Sequence, residues 1–365
     1  MGIKNARYRA IDPQATGAEA IADAFENQVA YCRDNGAPIT ASVCQALLEL
    51  IASERGGVVM ERVRRWKGAP LADALPLRIA GGLHGLHISG DAPELAEIYD
   101  GQSAIARTAL IADALERHEA MLLGWLESPP QTNEAGRSSN FAAGLLWLAE
   151  QGLPPRFALN EFGSSAGINL LMAHYFYDLG GVCLGAERAD MRLKPEWRGN
   201  PPPAQSIEII SARGCDVAPL DLTDPREANR LRAYIWPEFT ERFERLEAAI
   251  EVAKAHPPEI ARESAEKFVE RVLGEAPVSG TTRIIMNSVV WQYVPADQRA
   301  RITCAIETAG AQASRQTSLA WISLEANRDT HRHELTVRHW PGGRKQAVQL
   351  AVAHPHGAWI EWRGA

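Results

Sequence analysis

Asn160-Glu161-Phe162-Gly163-Ser164-Ser165-Ala166-Gly167-Ile168-Asn169 is the stretch on which the reading of this chain turns. It closes a short apolar run, Arg156 to Phe162, whose length suits a buried strand. Two glycines follow, and Ile168 to about Leu179 reads as a helix. Strand, glycine-bearing turn and helix form the opening of a βαβ unit. In open α/β sheets, ligands sit beyond the carboxyl ends of the strands. A glycine turn lets backbone approach such a ligand, and N–H groups at a helix start hold its anionic parts.

Two chemistries use a turn of this kind. S-adenosylmethionine-dependent methyltransferases place an acidic residue before Gly-x-Gly-x-Gly; here Glu161, Gly163 and Gly167 match, and Ser165 stands for the middle glycine. Gly163-Ser-Ser-Ala-Gly167 is also a literal G-x-S-x-G, the nucleophile elbow of α/β-hydrolases, with Ser165 as nucleophile. His331, His333, His339, His354 and His356 lie late enough in the chain to complete a triad. No GxxxxGK[ST] is present, which argues against a nucleoside-triphosphatase.

Downstream residues favour the first chemistry. A second strand, Ile207–Ser211, runs toward Arg213-Gly-Cys-Asp216-Val-Ala-Pro219, and an acid at that strand end suits ribose hydroxyls. Asp216 lies 49 residues beyond Gly167, so Tyr177–Pro203 would be an insertion. A strand over Arg283–Val290 ends in Asn287-Ser288 with Tyr293 a turn later, the way methyltransferases finish the strand beside the reacting methyl. A hydrolase would more often carry its acid there. Each residue also has a plain reading: Asn287 as a strand-end cap, Tyr293 as a core aromatic, Asp216 as a turn former.

Outward from this centre the chain divides in two. Residues before about 130 read as all-helical. A capping box, Thr16-Gly-Ala-Glu19, opens a helix with Ile21, Phe25, Val29 and Cys32 on one face. A second helix begins at Thr40, and a third spans about Ile105 to Leu126. Ser128-Pro-Pro130 and the polar residues after it mark a boundary. From 131 to 365 strands alternate with helices. One helix carries Phe239, Phe243, Leu246 and Ile250, with Glu238/Arg242 and Glu241/Arg245 pairs in support. Leu319–Glu325 is a further strand, and Leu335, Val337, Val348, Leu350 and Val352 alternate around Pro341-Gly-Gly343 as a hairpin does. The expected architecture is α/β: a mainly parallel, Rossmann-like sheet of class I methyltransferase type with a terminal β-hairpin, preceded by an all-helical domain.

Composition narrows the function. With 38 Lys+Arg against 45 Asp+Glu the net charge is −7, so a general nucleic-acid binder is not expected. No run approaches a membrane span, and the start, MGIKNARYRAIDP, has no apolar signal core. Five scattered cysteines without CxxC suit free thiols in a reducing cytosol. The expectation is a cytoplasmic protein acting on a small molecule.

Gln131-Thr-Asn-Glu-x-Gly-Arg137, Glu161-x-Gly-x-Ser-Ala-Gly-x-Asn169, Arg213-Gly-x-Asp216-x-x-Pro219-x-Asp221, Trp236-Pro-Glu238-x-x-x-Arg242 and Asn287-Ser288 through Tyr293-Val-Pro295 together resemble a bacterial family of unknown function often described as methyltransferase-like. The resemblance covers nearly the whole chain and implies a class I methyltransferase-like fold but no particular reaction; the methyltransferase reading takes S-adenosylmethionine as cofactor. Where the family tends to carry Gly-Asp-Ala after its third strand, this chain has Glu263-Ser264-Ala265. On this reading Glu161, Gly163, Ser165, Gly167 and Asn169 shape the methionine pocket, Asp216 takes the ribose, and Ser264 lies near adenine. Asn287 and Tyr293 face the sulfonium and the acceptor as the catalytic pair. Asn133, Glu134 and Arg137 belong to a loop that would fold over the mouth and bind substrate. The alternatives are a serine esterase using Ser165 and a non-catalytic adenosine-ligand-binding protein. Close histidine pairs (His84/His87, His331/His333, His354/His356) lack HExxH or a carboxylate cluster, so no metal site is expected. Trp197 and Trp236, near Pro-rich turns, are candidates to line a site.

Overall fold

A computed structural model describes residues 12–100 and 107–364, so the sequence MGIKNARYRAIDP falls almost wholly outside it, as does the start of the helix expected from Ile105. The chain forms two compact units, Met1–Thr132 with Pro225–Phe243, and Asn133–Asp224 with Glu244–Ala365. No described helix is long and apolar enough to cross a membrane.

Among the described residues the first unit is helical throughout. Helices Ala18–Asp34, Pro38–Ile51, Gly57–Arg64, Leu75–Ser89 and Arg107–Arg117 bury Phe25, Leu47, Met60, Ile79, Leu83 and Leu115 in one core. The expected capping box does not form: the first helix starts after Gly17 with no side-chain cap, because Gly17 itself takes the cap position at φ 95°. The second helix starts two residues ahead of Thr40, at Pro38, whose fixed φ suits a first turn. Glu238 makes no helix of its own here; its carboxylate accepts from the Ile39 and Thr40 N–H groups and the Thr40 hydroxyl, capping that second helix. Trp236 stands beside Tyr31, ring centroids 5.9 Å apart, within the same helical unit.

The second unit is built on strands β1 (Arg156–Phe162), β2 (Phe176–Leu179), β3 (Val182–Leu184), β4 (Arg192–Leu193), β5 (Glu196–Arg198), β6 (Glu208–Asp216), β7 (Glu259–Arg262), β8 (Thr281–Ser288), β9 (Thr317–Asn327), β10 (Arg332–Trp340), β11 (Val348–Ala353) and β12 (Trp359–Trp362). Nine form one mixed sheet in the order β5-β12-β11-β10-β9-β8-β1-β6-β7. Strands β9, β8, β1, β6 and β7 run parallel, and β10, β11 and β12 return antiparallel. Strands β1 and β8 are buried over most of their length, with Asn160, Glu161 and Asn287 among their buried residues. On one face Phe162, Ile285 and Leu319 pack with Phe268, Val269, Val272, Ile302 and Ile306. On the other, helix Ser138–Glu150 lies so close that a methyl on Gly144 would meet Ile322 at 3.5 Å.

The segment after the glycine turn departs from expectation. Ile168–His174 is a short 3-10 helix, and Phe176–Leu179 is strand β2 of a separate three-stranded sheet, order β3-β2-β4. Tyr175, Phe176, Tyr177 and Leu179 are all buried there. The tyrosine hydroxyls are satisfied by Ile168 O at 2.8 Å and Ser138 Oγ at 3.0 Å. Gly180 and Gly181 then supply the positive φ (66° and 95°) that turns β2 into β3. Trp197, on β5, packs against Trp362 of the neighbouring β12 at the sheet's outer edge.

Candidate functional site

Strand order reverses between β1 and β8: the chain leaves β1 toward β6 on one side and places β8 and β9 on the other. In open sheets this reversal leaves a crevice beyond the carboxyl ends of the two strands. The turn Gly163–Gly167 lies at that end of β1, and Asn287 and Ser288 end β8.

The turn is held by contacts within its own unit. Ser164 N–H donates to Cys215 O at 2.9 Å, and Ser164 Oγ to Glu161 O at 2.8 Å. Asp216, last on β6, accepts the Ser165 N–H at 2.9 Å on one oxygen and the Ala218 N–H at 2.9 Å on the other. Gly163 and Gly167 sit at φ 71° and 73°. A methyl on Gly163 would meet the Val290 side chain, its Cβ at 2.8 Å, and one on Gly167 would meet Pro258 and Ile260 at 2.8 Å. Both glycines therefore answer to protein packing. Ser165 itself adopts φ 53°, which L residues occupy at a cost.

Beneath the turn lies a buried polar group. Glu161 is fully buried, and burial pushes its carboxyl up to about 7, against the pull of the Asn169 hydrogen bond and the nearby Arg137. Asn169 Nδ2 donates to Glu161 Oε1 at 2.8 Å and reaches Ser288 Oγ at 3.3 Å. Three buried polar atoms remain without partners here: Glu161 Oε2, Asn169 Oδ1 and Ser165 Oγ. Buried polar atoms are ordinarily satisfied, so this group has a demand the chain does not meet itself. Since Ser165 Oγ has no partner, no histidine stands in hydrogen-bond contact to serve as its base.

The loop Asn133–Arg137 is clasped into the same unit. Asn133 Oδ1 accepts the Ile168 N–H at 2.9 Å, tying it to the end of the glycine turn. Glu134, 4% exposed, caps the Ala135–Arg137 turn and pairs with Arg245 Nε at 2.9 Å. Arg137 Nε donates to Pro355 O at 2.9 Å, in the turn after β11. Gly136 lies against that turn, where a methyl would meet His356 O at 2.8 Å. The arginine also lies near His333, whose imidazole is lowered to about 4 by burial first and by Arg137 second.

Asn287, fully buried, spends its amide inside the sheet. Its oxygen accepts from Trp321 Nε1 at 2.8 Å; its nitrogen donates to Ser323 Oγ at 3.0 Å and Glu325 Oε1 at 2.7 Å. Glu325 Oε1 also takes the Val290 and Trp291 N–H groups at 3.0 and 3.1 Å, and burial raises its carboxyl. Tyr293 is 71% exposed rather than part of a core. Ser264 caps helix Ala265–Gly274, accepting from Lys267 N. Thus Glu161, Gly163, Ser165, Gly167, Asn169 and Asp216 meet at one turn with Asn133 beside it. Ser264 stands after β7 and Tyr293 after β8. Ser288 belongs to the quoted Asn287-Ser288 strand end, whereas Arg245 and Glu325 are partners that motif spacing did not reveal; an acid at the end of the strand over Leu319–Glu325 was the one local signal for Glu325. Among the described residues no group of three His, Cys, Asp or Glu side chains is placed to hold a metal ion.

A family model described as "Uncharacterized protein conserved in bacteria (DUF2332)" matches residues 22–362. No curated protein matches the chain, and no solved structure does.

Proposed function

We propose, for a chain that belongs to the DUF2332 family, that the β1 turn binds S-adenosylmethionine and that the protein passes its methyl group to a small-molecule acceptor. The observation that carries this reading is the set of unpartnered atoms at the point of strand reversal, Glu161 Oε2, Asn169 Oδ1 and Ser165 Oγ. Their chemistry fits an amino acid. Two acceptors suit an ammonium group, and a hydroxyl suits a carboxylate. The order β9-β8-β1-β6-β7 of the parallel strands and the acid at the end of β6 support the same reading.

The bound cofactor would supply an electrophilic methyl on a sulfonium. The chain's own residues do the holding. Glu161 and Asn169 take the ammonium, and Ser165 donates to the carboxylate. Asp216 fixes the turn through two backbone N–H groups, and its remaining lone pairs are available to ribose hydroxyls. Methyl transfer needs in-line positioning above all, which a rigid turn provides. An arriving ammonium also restores the charge of Glu161, so binding near neutral pH releases a proton.

A second reading, binding without turnover, is favoured by the engagement of Asn287 in Trp321, Ser323 and Glu325, which leaves no free amide for the reacting centre. Calorimetric titration with S-adenosylhomocysteine tests the site. Micromolar binding that is lost in Glu161→Gln supports it. An absence of both heat and thermal stabilisation at millimolar ligand rejects both adenosine-ligand readings, and labelling of Ser165 by a fluorophosphonate becomes the next test. Binding without methyl transfer to any fraction of a metabolite extract selects the second reading.

A further inference from the structure

We propose that Glu325 is a positioning residue for the ligand site: from β9 it holds the turn after β8 in a strained form that sets Val290 and Tyr293 beside the glycine turn. The proposal rests on the reading of the β1 turn as an S-adenosylmethionine site.

The two turns at the strand reversal are built alike. Ser165, in the β1 turn, and Val289, just after β8, both sit at φ 53°. Among the described residues the other non-glycine positions with positive φ are Ala74 and His331, and neither belongs to these turns. A β-branched residue in this region is an outlier, and such conformations persist only where the surroundings enforce them. On each side a carboxylate from a neighbouring strand does so. Asp216 of β6 takes the Ser165 N–H. Glu325 of β9 takes the Val290 and Trp291 N–H groups on a single oxygen, at 3.0 and 3.1 Å, while Val289 N–H donates to Leu324 O at 2.9 Å.

That oxygen is fixed in turn. It accepts from Asn287 Nδ2 at 2.7 Å, and Asn287 Oδ1 accepts from Trp321 Nε1 at 2.8 Å. The Trp321 ring meets Trp291 edge-on, centroids 5.4 Å apart, so the circuit closes on the turn it holds. Val290 is thereby set against Gly163, where an added methyl would lie 2.8 Å from its Cβ. The 3-10 turn Trp291–Tyr293 starts at the clamped N–H groups; Trp291 packs beside Phe162, and Tyr293 stands 71% exposed. Glycine would make this turn freely, whereas valine disfavours it. Without Glu325 the backbone at 289 therefore relaxes to negative φ and carries Val290 off Gly163.

The test pairs calorimetric titration of the full-length protein with S-adenosylhomocysteine and amide hydrogen exchange of the free protein. Glu325→Ala should expose the Val290 and Trp291 amides to exchange and weaken binding about tenfold, the equivalent of one hydrogen bond. Glu325→Gln, which keeps an oxygen in place, should restore both. Val289→Gly added to Glu325→Ala should recover part of the affinity, because the turn then needs no enforcement. Val337→Ala, a core truncation on β10, should lower the melting temperature and leave affinity unchanged. Unchanged affinity in a folded Glu325→Ala protein overturns the proposal and leaves the β1 reading standing, as does equal weakening in Val337→Ala. No heat with the wild type overturns both. Should Glu325→Ala not fold, melting temperatures at position 289 decide: Val289→Gly should melt above Val289→Ala, the order of a positive-φ site, and the reverse order overturns the proposal.

Discussion

The Asp216 carboxylate accepts the backbone N–H of Ser165 at 2.9 Å, joining the end of β6 to the turn that ends β1 across 51 residues of sequence. Its other oxygen takes the Ala218 N–H, so one side chain shapes both strand ends. Asp216→Ala should cost about 2 kcal/mol of stability in urea unfolding, since two charge-assisted hydrogen bonds are lost. Asp216→Asn, which keeps one acceptor, should cost less. Equal losses for the two substitutions would mean the charge matters and the hydrogen-bond count does not.

Glu161 gives the protein a pH dependence of definite sign. Burial raises its carboxyl from the ordinary glutamate value of 4.5 to about 7. Between those values the native state keeps a proton that the unfolded chain has lost. Stability from this group is therefore greatest at the acid end of the window and falls as pH rises toward 7. Melting temperatures across that range should show the decline in the wild type and a flatter profile in Glu161→Gln. A parallel slope in both proteins would assign the effect elsewhere.

Gly163→Ala should destabilise the protein by about 2–3 kcal/mol, combining left-handed strain with overpacking. The clash is with a single side chain, Val290. Adding Val290→Ala should therefore recover part of the loss and leave the strain. No recovery in the double variant would show that backbone conformation alone accounts for the cost.

Arg245 and Glu134 pair at 2.9 Å, with the carboxylate 4% exposed and the guanidinium 21% exposed. Arg245→Met strands the better-buried partner and should cost about 2 kcal/mol. Glu134→Gln in the same chain should restore some of that stability, as a double-mutant cycle from denaturant unfolding would report.

Asn287→Ala should be a stability variant before it is anything else. It leaves the Trp321 indole N–H and the Glu325 carboxylate each short of a partner, a loss of about 3 kcal/mol. A variant with unchanged unfolding but abolished methyl transfer would return Asn287 to a catalytic role.

How much was legible depended on whether the signal was local. The strand Arg156–Phe162, the first two helices and the alternation in Leu335–Val337 and Val348–Val352 are each written in neighbouring residues, and the structure contains them, whereas the helix expected from about Ile105 to Leu126 is two, Arg107–Arg117 and Glu119–Leu126. The helix expected over Ile168–Leu179 is absent because the burial of Tyr175 and Tyr177 depends on hydroxyl partners at Ile168 and Ser138. The Ser138 partner lies 39 residues away. Likewise Glu238 and Arg245 sit at helical spacing for i,i+4 pairs, yet their carboxylate and guanidinium are engaged by Thr40 and Glu134.

The sequence by itself determined an all-helical start, a strand-turn opening at Glu161–Gly167 and a terminal antiparallel hairpin, since side-chain periodicity and glycine conformation act over a few residues. Only the tertiary structure decided which polar groups are satisfied. Asn287 found three partners on β9, Asp216 found the N–H of Ser165, and Glu161, Asn169 and Ser165 each kept an atom unpaired. Hydrogen-bond satisfaction is a property of whatever the fold brings within about 3 Å, and no spacing along the chain encodes that distance.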